Sequence, residues 1–122
     1  MREFDLLNNY STLNKRYVSK NTRTIKNRII ASYREKEFYD GKRENGYGGF
    51  KYDGRWKIIA KKIFEIYQLK DNAKILQIGC DKGFLLQDIK EIFPKSKVRG
   101  VEVSDYAIKN TNKKISKFIK KK

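Results

Sequence analysis

The sequence contains no histidine and only one cysteine, Cys80, among its 122 residues. Without imidazole and with a single thiol, the chain lacks the usual ligands of zinc and the base of a histidine-dependent nucleophilic triad, so carboxylates are the remaining candidate metal ligands. One cysteine permits no disulfide within the chain, and the opening stretch MREFDLLNNY lacks the apolar run of a signal peptide. These absences predict a protein of the reducing cytoplasm.

Long apolar runs are absent as well. No window approaches the roughly 18 apolar residues of a membrane-spanning helix, so we expect no membrane span. Hydrophobic residues nevertheless make up 39% of the chain and aromatic residues 13%. This composition and length suit a chain that folds around one modest core, and they exclude two full domains.

The net charge of +16 would ordinarily suggest a polyanionic partner. However, 22 of the 30 basic residues are lysine, and isoleucine and asparagine are abundant, which is also what A/T-rich coding produces. Residues 109–122 alone contain seven lysines and no acid, which is typical of a basic tail. We therefore interpret coding bias as the main cause of the charge, and nucleic acid as an unlikely partner.

The first half of the chain predicts helices around a glycine-rich loop. Residues 21–39 carry an apolar stripe at helical spacing, formed by Ile25, Ile29, Ile30 and Tyr33. Residues 40–56 alternate glycines with aromatic and charged residues, which favours a structured loop. A second helix is predicted over residues 54–69, with the apolar positions Trp56, Ile59, Ala60, Ile63, Ile66 and Tyr67.

The second half predicts alternating strands and helices. Residues 74–78 form a strand, residues 83–93 a helix carrying Leu85, Ile89 and Ile92, and residues 97–103 a second strand. Ser104 then begins a helix with Ile108, Ile115 and Ile119. Short strands joined by single helices pair in parallel, so the prediction is an α/β fold of the β-α-β-α type with a helical amino-terminal extension. We place the extension at residues 1–53 and the α/β domain at 54–122.

The turn KILQIGCDKGFLL joins the first strand to the next helix, at the edge where open parallel sheets bind ligands. Gly79 and Gly83 bracket Cys80, Asp81 and Lys82. The dinucleotide fingerprint would require glycine at positions 81 and 84, and the nucleotide P-loop requires four residues between its glycines, so both motifs are excluded.

Glu102 ends the second strand, 23 positions after Gly79. Its two carboxylate oxygens match the two hydroxyls of a ribose, and the spacing is close to the roughly 20 residues found in nucleoside-binding α/β folds. Each feature alone is more often structural, since glycine turns are common and a glutamate at a strand end is usually solvated. Together they predict a site for a nucleoside-bearing cofactor.

Three segments resemble the class I S-adenosylmethionine-dependent methyltransferases. AKILQIGCDKGFLLQDI is similar to the first motif of that family, and GVEVSDYAI to the segment at the end of its second strand. FYDGKRENGYGGFKYDGRW resembles a segment that precedes the cofactor domain in one bacterial subgroup. The resemblance covers residues 38–110 and implies a partial Rossmann-like methyltransferase fold.

The resemblance implies S-adenosylmethionine as the cofactor. It places the backbone of Gly79, Cys80 and Gly83 beside the methionine part and assigns the adenosine ribose to Glu102. The aromatic residues of the preceding loop are candidates for a cofactor lid, with simple packing as the alternative: Tyr47, Phe50, Tyr52 and Trp56.

Two positions depart from the family pattern, which has an acid at position 77 and glycine at position 81. Gln77 keeps hydrogen-bonding capacity but loses the ion pair with the cofactor's ammonium group, which weakens binding. Asp81 tolerates a left-handed backbone. One hypothesis is that Asp81 supplies the lost charge, and the alternative is relaxed selection on a truncated copy.

The resemblance assigns no catalytic base, because the family builds its acceptor site from later segments. The subgroup favours a small molecule or a surface-polysaccharide sugar as the methyl acceptor. If the chain is truncated, its first strand lies at an open edge, and we expect self-association, a partner chain or marginal stability. A non-catalytic remnant completed by a partner and a basic RNA-binding protein are the alternatives from other classes.

Overall fold

The computed structural model describes residues 3–7 and 23–122. The remaining residues of the predicted extension, 1–2 and 8–22, lie outside the described residues. The chain divides into two units, one formed by residues 9–51 and the other by residues 1–8 and 52–122. We call their described parts the amino-terminal unit (23–51) and the sheet unit (3–7 and 52–122). The predicted division into 1–53 and 54–122 stays a prediction.

The amino-terminal unit is helical. It contains α1 (Ile25–Ser32), α2 (Lys36–Tyr39) and a single 3₁₀ turn over Arg43–Asn45. The Thr24 hydroxyl accepts a hydrogen bond from the Asn27 backbone N–H at 3.2 Å, which begins α1 with a capping box. The predicted helix is therefore present but broken after Ser32, and its apolar stripe is exposed rather than buried at Ile25, Ile29 and Tyr33.

An aromatic cluster holds the glycine-rich loop of this unit. Tyr47 stacks on Phe50 with ring centroids 4.2 Å apart, and Phe38 meets Tyr47 edge-on at 5.1 Å. Tyr39 is completely buried against the same rings. Because these contacts order the loop, its aromatic residues form a local core.

The sheet unit alternates helices with three strands. In chain order these are α3 (Lys57–Ile66), β1 (Lys74–Ile78), α4 (Phe84–Ile92), β2 (Lys97–Glu102), α5 (Asp105–Lys109), α6 (Lys113–Ser116) and β3 (Ile119–Lys121). The strands are parallel and lie in the order β1-β2-β3, with Ile75 beside Val98 and Gly100 beside Ile119. The predicted parallel α/β architecture is confirmed, and β1 forms one edge of the sheet.

The helix predicted to begin at Ser104 and to continue to Ile119 is present only over its first residues, and the rest of that prediction is wrong. α5 ends at Lys109, and Asn112 begins a separate short helix by accepting a hydrogen bond from the Lys114 N–H. Ile119 then lies in β3, where its side chain is buried beside Gly100 of β2. Burial of this isoleucine and pairing with β2 outweigh its helical spacing.

The core lies on one face of the sheet. α4 packs on β2, and α3 and α6 pack on α4. The central cluster consists of Ala60, Phe64, Cys80, Leu86, Ile89, Val98, Ile115 and Ile119. Within the described ranges, no helix combines the length and apolar composition that crossing a membrane requires.

Candidate functional site

The turn between β1 and α4 has three residues in the left-handed region. Gly79, Asp81 and Gly83 have φ values of 68°, 50° and 76°. Aspartate tolerates this region better than most residues, so Asp81 keeps a backbone shape that glycine would also adopt. The turn is therefore compatible with either glycine or aspartate at position 81.

Hydrogen bonds fix this turn to the end of β2. The N–H groups of Gly79 and Cys80 donate to the Val101 carbonyl at 2.8 and 3.2 Å. The Gly83 N–H donates to the Cys80 carbonyl at 2.8 Å, which closes the turn before α4. The loop after the first strand thus takes its position from the second strand.

Glu102 lies at this junction and is 2% exposed. Its carboxylate accepts hydrogen bonds from the backbone N–H groups of Asp81 at 2.7 Å, Val103 at 2.8 Å and Ser104 at 2.9 Å. A carboxylate has about four lone-pair positions, so about one remains for a further donor. The structure brings the glycine turn and the predicted ribose acid together, and it joins them directly.

The two glycines of the turn have different surroundings. A Cβ at Gly79 would meet no atom of the described ranges within 4 Å, so they leave the turn open beside this residue. A Cβ at Gly83 would lie 2.5 Å from Cδ1 of Ile119 in β3. A side chain at Gly83 would therefore require Ile119 to move, whereas Gly79 leaves its surroundings accessible to a ligand.

Cys80 is a structural residue in this turn. Its side chain is buried in the core cluster, and burial raises the pKa of the thiol to about 11, with a smaller effect of the Glu102 charge. The thiol is thus protonated at neutral pH and unsuited to nucleophilic chemistry.

Gln77 is half-buried on β1, and its side-chain oxygen Oε1 is buried without a hydrogen-bond partner among the described residues. A buried acceptor without a donor is costly. An incoming N–H or ammonium group would satisfy it.

The proposed lid residues belong to both units: Tyr47 and Phe50 to the amino-terminal unit, Tyr52 and Trp56 to the sheet unit. Tyr52 is half-buried, its ring meets Phe84 edge-on at 5.7 Å, and its hydroxyl lies 2.5 Å from Oδ1 of Asp88. Trp56 is half-buried immediately before α3. Tyr47 belongs to the aromatic cluster of the amino-terminal unit. The role of these residues as a lid stays a prediction.

A cluster of polar residues around Tyr52 was not predicted from the sequence. The Tyr52 hydroxyl also lies 3.0 Å from Oε2 of Glu91, which pairs with the Lys57 ammonium at 3.0 Å. Asp88 is fully buried, and desolvation is the main cause that raises the pKa of its carboxyl. The signal in the sequence was the position of Asp88 on the same helical stripe as Leu85 and Ile92.

The described residues offer no clustered metal ligands: nowhere in the two ranges do three or more cysteine, aspartate or glutamate side chains gather as a metal site would require. The fold and the site together define a small parallel α/β unit with an open glycine turn beside a buried glutamate. No family model matches the chain, and searches of curated proteins and of solved structures returned no match.

Proposed function

We propose that this chain binds S-adenosylmethionine at the carboxyl edge of its sheet and is the cofactor-binding portion of a methyltransferase with a partial Rossmann-like fold. The observation that carries the proposal is the junction of Gly79 and Glu102. Gly79 directly follows β1, Glu102 is the last residue of β2, and these two strands are adjacent and parallel. The turn after β1 is tied to the Glu102 carboxylate through the Asp81 N–H at 2.7 Å. Open parallel sheets bind nucleosides at this place.

Two features near the turn suit such a cofactor. Gly79 has open space where a side chain would stand, so the backbone is accessible at close range. The unpartnered Oε1 of Gln77 is an acceptor suited to the ammonium group of the methionine part. Gln77 would hold this group by a hydrogen bond without an ion pair, which lowers affinity relative to an acid.

The ribose would compete with hydrogen bonds within the chain. Glu102 already accepts three backbone N–H groups, so binding two hydroxyls requires the release of at least one of them. The Asp81 N–H is the candidate for release, because it comes from the turn, whereas Val103 and Ser104 directly follow Glu102. Cofactor binding is therefore coupled to a rearrangement of the turn.

The cofactor's sulfonium supplies the activated methyl group, so the chain's task is to bind and orient it. No residue is assigned as a catalytic base. The proposed acceptor is a small molecule or a surface-polysaccharide sugar, and the proposed compartment is the cytoplasm.

Calorimetric titration of the full chain with S-adenosylmethionine tests the proposal. The variant Gly79→Asn keeps a residue that tolerates positive φ while filling the open space. Gly54→Asn is the matched control, because Gly54 also has a positive φ, of 72°, and lies outside the turn between β1 and α4, just before α3.

We expect the wild-type chain and Gly54→Asn to bind with similar affinity, and Gly79→Asn to bind at least about tenfold more weakly. Absence of binding to the folded wild-type chain, or equal affinity for all three proteins, would contradict the proposal. Circular dichroism of each protein establishes that the variants are folded.

A non-catalytic module completed by a partner is the second candidate. The observation that favours it is the satisfied carboxylate of Glu102, whose three backbone hydrogen bonds give this residue a structural role without any ligand. This candidate predicts no cofactor binding by the chain alone or with its partner. Titration with S-adenosylmethionine in the presence and absence of the partner separates the two functions.

A further inference from the structure

Among the residues that the structure describes, none of the helices packs on the face of the sheet opposite the core. Alternate residues of β1 and the residue after β2 expose large apolar side chains: Leu76 is 61% exposed, Ile78 81% and Val103 64%. Val101 lies beside Ile78 in the register and is half-buried. We call this surface the outer face. Parallel sheets normally have both faces covered, so an open apolar face of this kind indicates a missing layer.

Basic side chains surround the apolar residues of the outer face. Alternation along the strands places Lys74, Lys97, Arg99 and Lys120 on this face. Arg99 lies beside Leu76 in the register, and Lys120 lies beside Val101. All four basic residues are exposed and make no ion pair with any residue of the described ranges. No acidic residue occupies a strand position on this face.

We propose that the outer face binds an amphipathic helix of a partner protein, with an apolar stripe flanked by acidic side chains. The apolar stripe would cover Leu76, Ile78 and Val103, and the acidic flanks would pair with the basic residues around them. A helix is the element that covers a parallel sheet, and opposite charges across an interface select the partner and accelerate association. This inference does not depend on the cofactor site.

Other occupants match the outer face less well than an acidic amphipathic helix. A second copy would bring the same four basic residues against these, and like charges across an interface are unfavourable. The face carries no aromatic side chain on its strand positions, so it offers no platform on which RNA bases could stack. A lipid surface would leave the backbone groups of the β1 edge, which no described strand pairs, without partners in hydrocarbon.

A display library provides the test. Helices of about 18 residues, long enough to be stable when bound, carry a fixed leucine stripe with flanking positions randomised among glutamate, glutamine and lysine. The library is selected against the full chain without cofactor. We expect enrichment of glutamate on both flanks. Enrichment of lysine or glutamine, or no enrichment, would overturn the proposal.

The enriched peptide is then titrated by fluorescence anisotropy against matched variants. Ile78→Ser should weaken binding at least about tenfold, while Ile58→Ser, at an exposed isoleucine of α3, should leave it unchanged. Arg99→Glu should weaken binding more than Lys61→Glu, a control on α3 that changes the net charge of the chain by the same amount.

Equal effects of the two isoleucine variants would show that the peptide does not bind the outer face, and equal effects of the two charge variants would show binding through net charge alone. Either result would overturn the proposal. A peptide with serine in place of its leucines should not bind. If no acidic helix is enriched and Ile78→Ser instead abolishes self-association or RNA binding, the outer face belongs to a second copy or to RNA.

Discussion

The backbone N–H of Asp81 donates a hydrogen bond to Oε2 of Glu102 at 2.7 Å, across the junction of two adjacent parallel strands. The glutamate therefore holds the turn after β1 as well as the segment after β2. Glu102, which the sequence predicted to bind a ligand, thus has a structural role without any ligand. A ligand at this site must compete with the backbone N–H groups for its carboxylate.

Replacement of Glu102 should destabilise the fold. Glu102→Ala leaves the N–H groups of Asp81, Val103 and Ser104 without their acceptor, and we expect the free energy of unfolding to fall by about 2–5 kcal/mol. Urea unfolding followed by circular dichroism measures this change. Glu65→Ala, at an exposed acid of α3, is the control and should change the stability by less than about 0.5 kcal/mol. Similar losses in the two variants would show that the hydrogen bonds contribute little.

The two glycines of the turn should respond differently to alanine. Both variants force a left-handed alanine at a cost of about 1–2 kcal/mol. Gly83→Ala also places a Cβ 2.5 Å from Cδ1 of Ile119, so its loss of stability should exceed that of Gly79→Ala by about 1–3 kcal/mol. Ile119→Val removes this Cδ1, and in that background the difference should shrink. Equal losses in the wild-type background would show that Ile119 moves aside freely.

The buried carboxyl of Asp88 should make stability depend on pH. Burial raises its pKa in the folded chain above the ordinary value of 3.8, so the folded chain retains this proton to higher pH than the unfolded chain does. Its contribution to the free energy of unfolding therefore decreases as the pH rises from 3.8 through the folded-state pKa. Asn at this position does not titrate.

Urea unfolding of the wild-type chain and of Asp88→Asn, from about pH 3.5 to about pH 7.5, tests this dependence. The stability of the variant relative to the wild-type chain should rise with pH across the window and then level off. The lowered pKa of Glu91, caused first by its hydrogen bond from Gln87, acts in the opposite direction in both proteins. A relative stability that stays flat or falls with pH would contradict the account.

Self-association through the open edge of β1 should increase with salt. No other strand of residues 3–7 and 23–122 pairs with this edge, while the net charge of +16 keeps copies apart at low ionic strength. Sedimentation velocity in about 0.05 and 0.5 M sodium chloride measures this effect. Ile78→Lys, which adds a charge to β1, should reduce association more than Ile58→Lys on α3. A monomer in both salts with a cooperative thermal transition would show that the edge is protected.

Local patterns predicted most of the α/β unit. The strand over 74–78 is present with those bounds, and the helices around it differ from prediction by a few residues at their ends. Periodicity failed at Ile119, where helical spacing coincided with a strand whose formation depends on Gly100, 19 residues earlier. Such pairing cannot be read from neighbouring residues.

The proximity of Gly79 and Glu102 was predicted from the sequence, but their contacts were not. The spacing of Gly79 and Glu102 indicated that they meet at the end of adjacent strands, and they do. The sequence could not indicate that Glu102 is satisfied by backbone N–H groups, because these depend on the backbone path of the turn. Nor could it reveal that Gly83 lies close against Ile119, which is distant in the chain.

The most direct test of the central claim compares S-adenosylhomocysteine with its 2′-deoxy analogue, by nuclear magnetic resonance of the ¹⁵N-labelled full chain. We predict that S-adenosylhomocysteine shifts the amide signals of Gly79, Asp81 and Val103, that exchange protection of the Asp81 amide falls, and that loss of the 2′-hydroxyl weakens binding at least about tenfold. Unchanged amide signals, or equal binding of the two compounds, would contradict the assignment of this junction as a nucleoside-cofactor site.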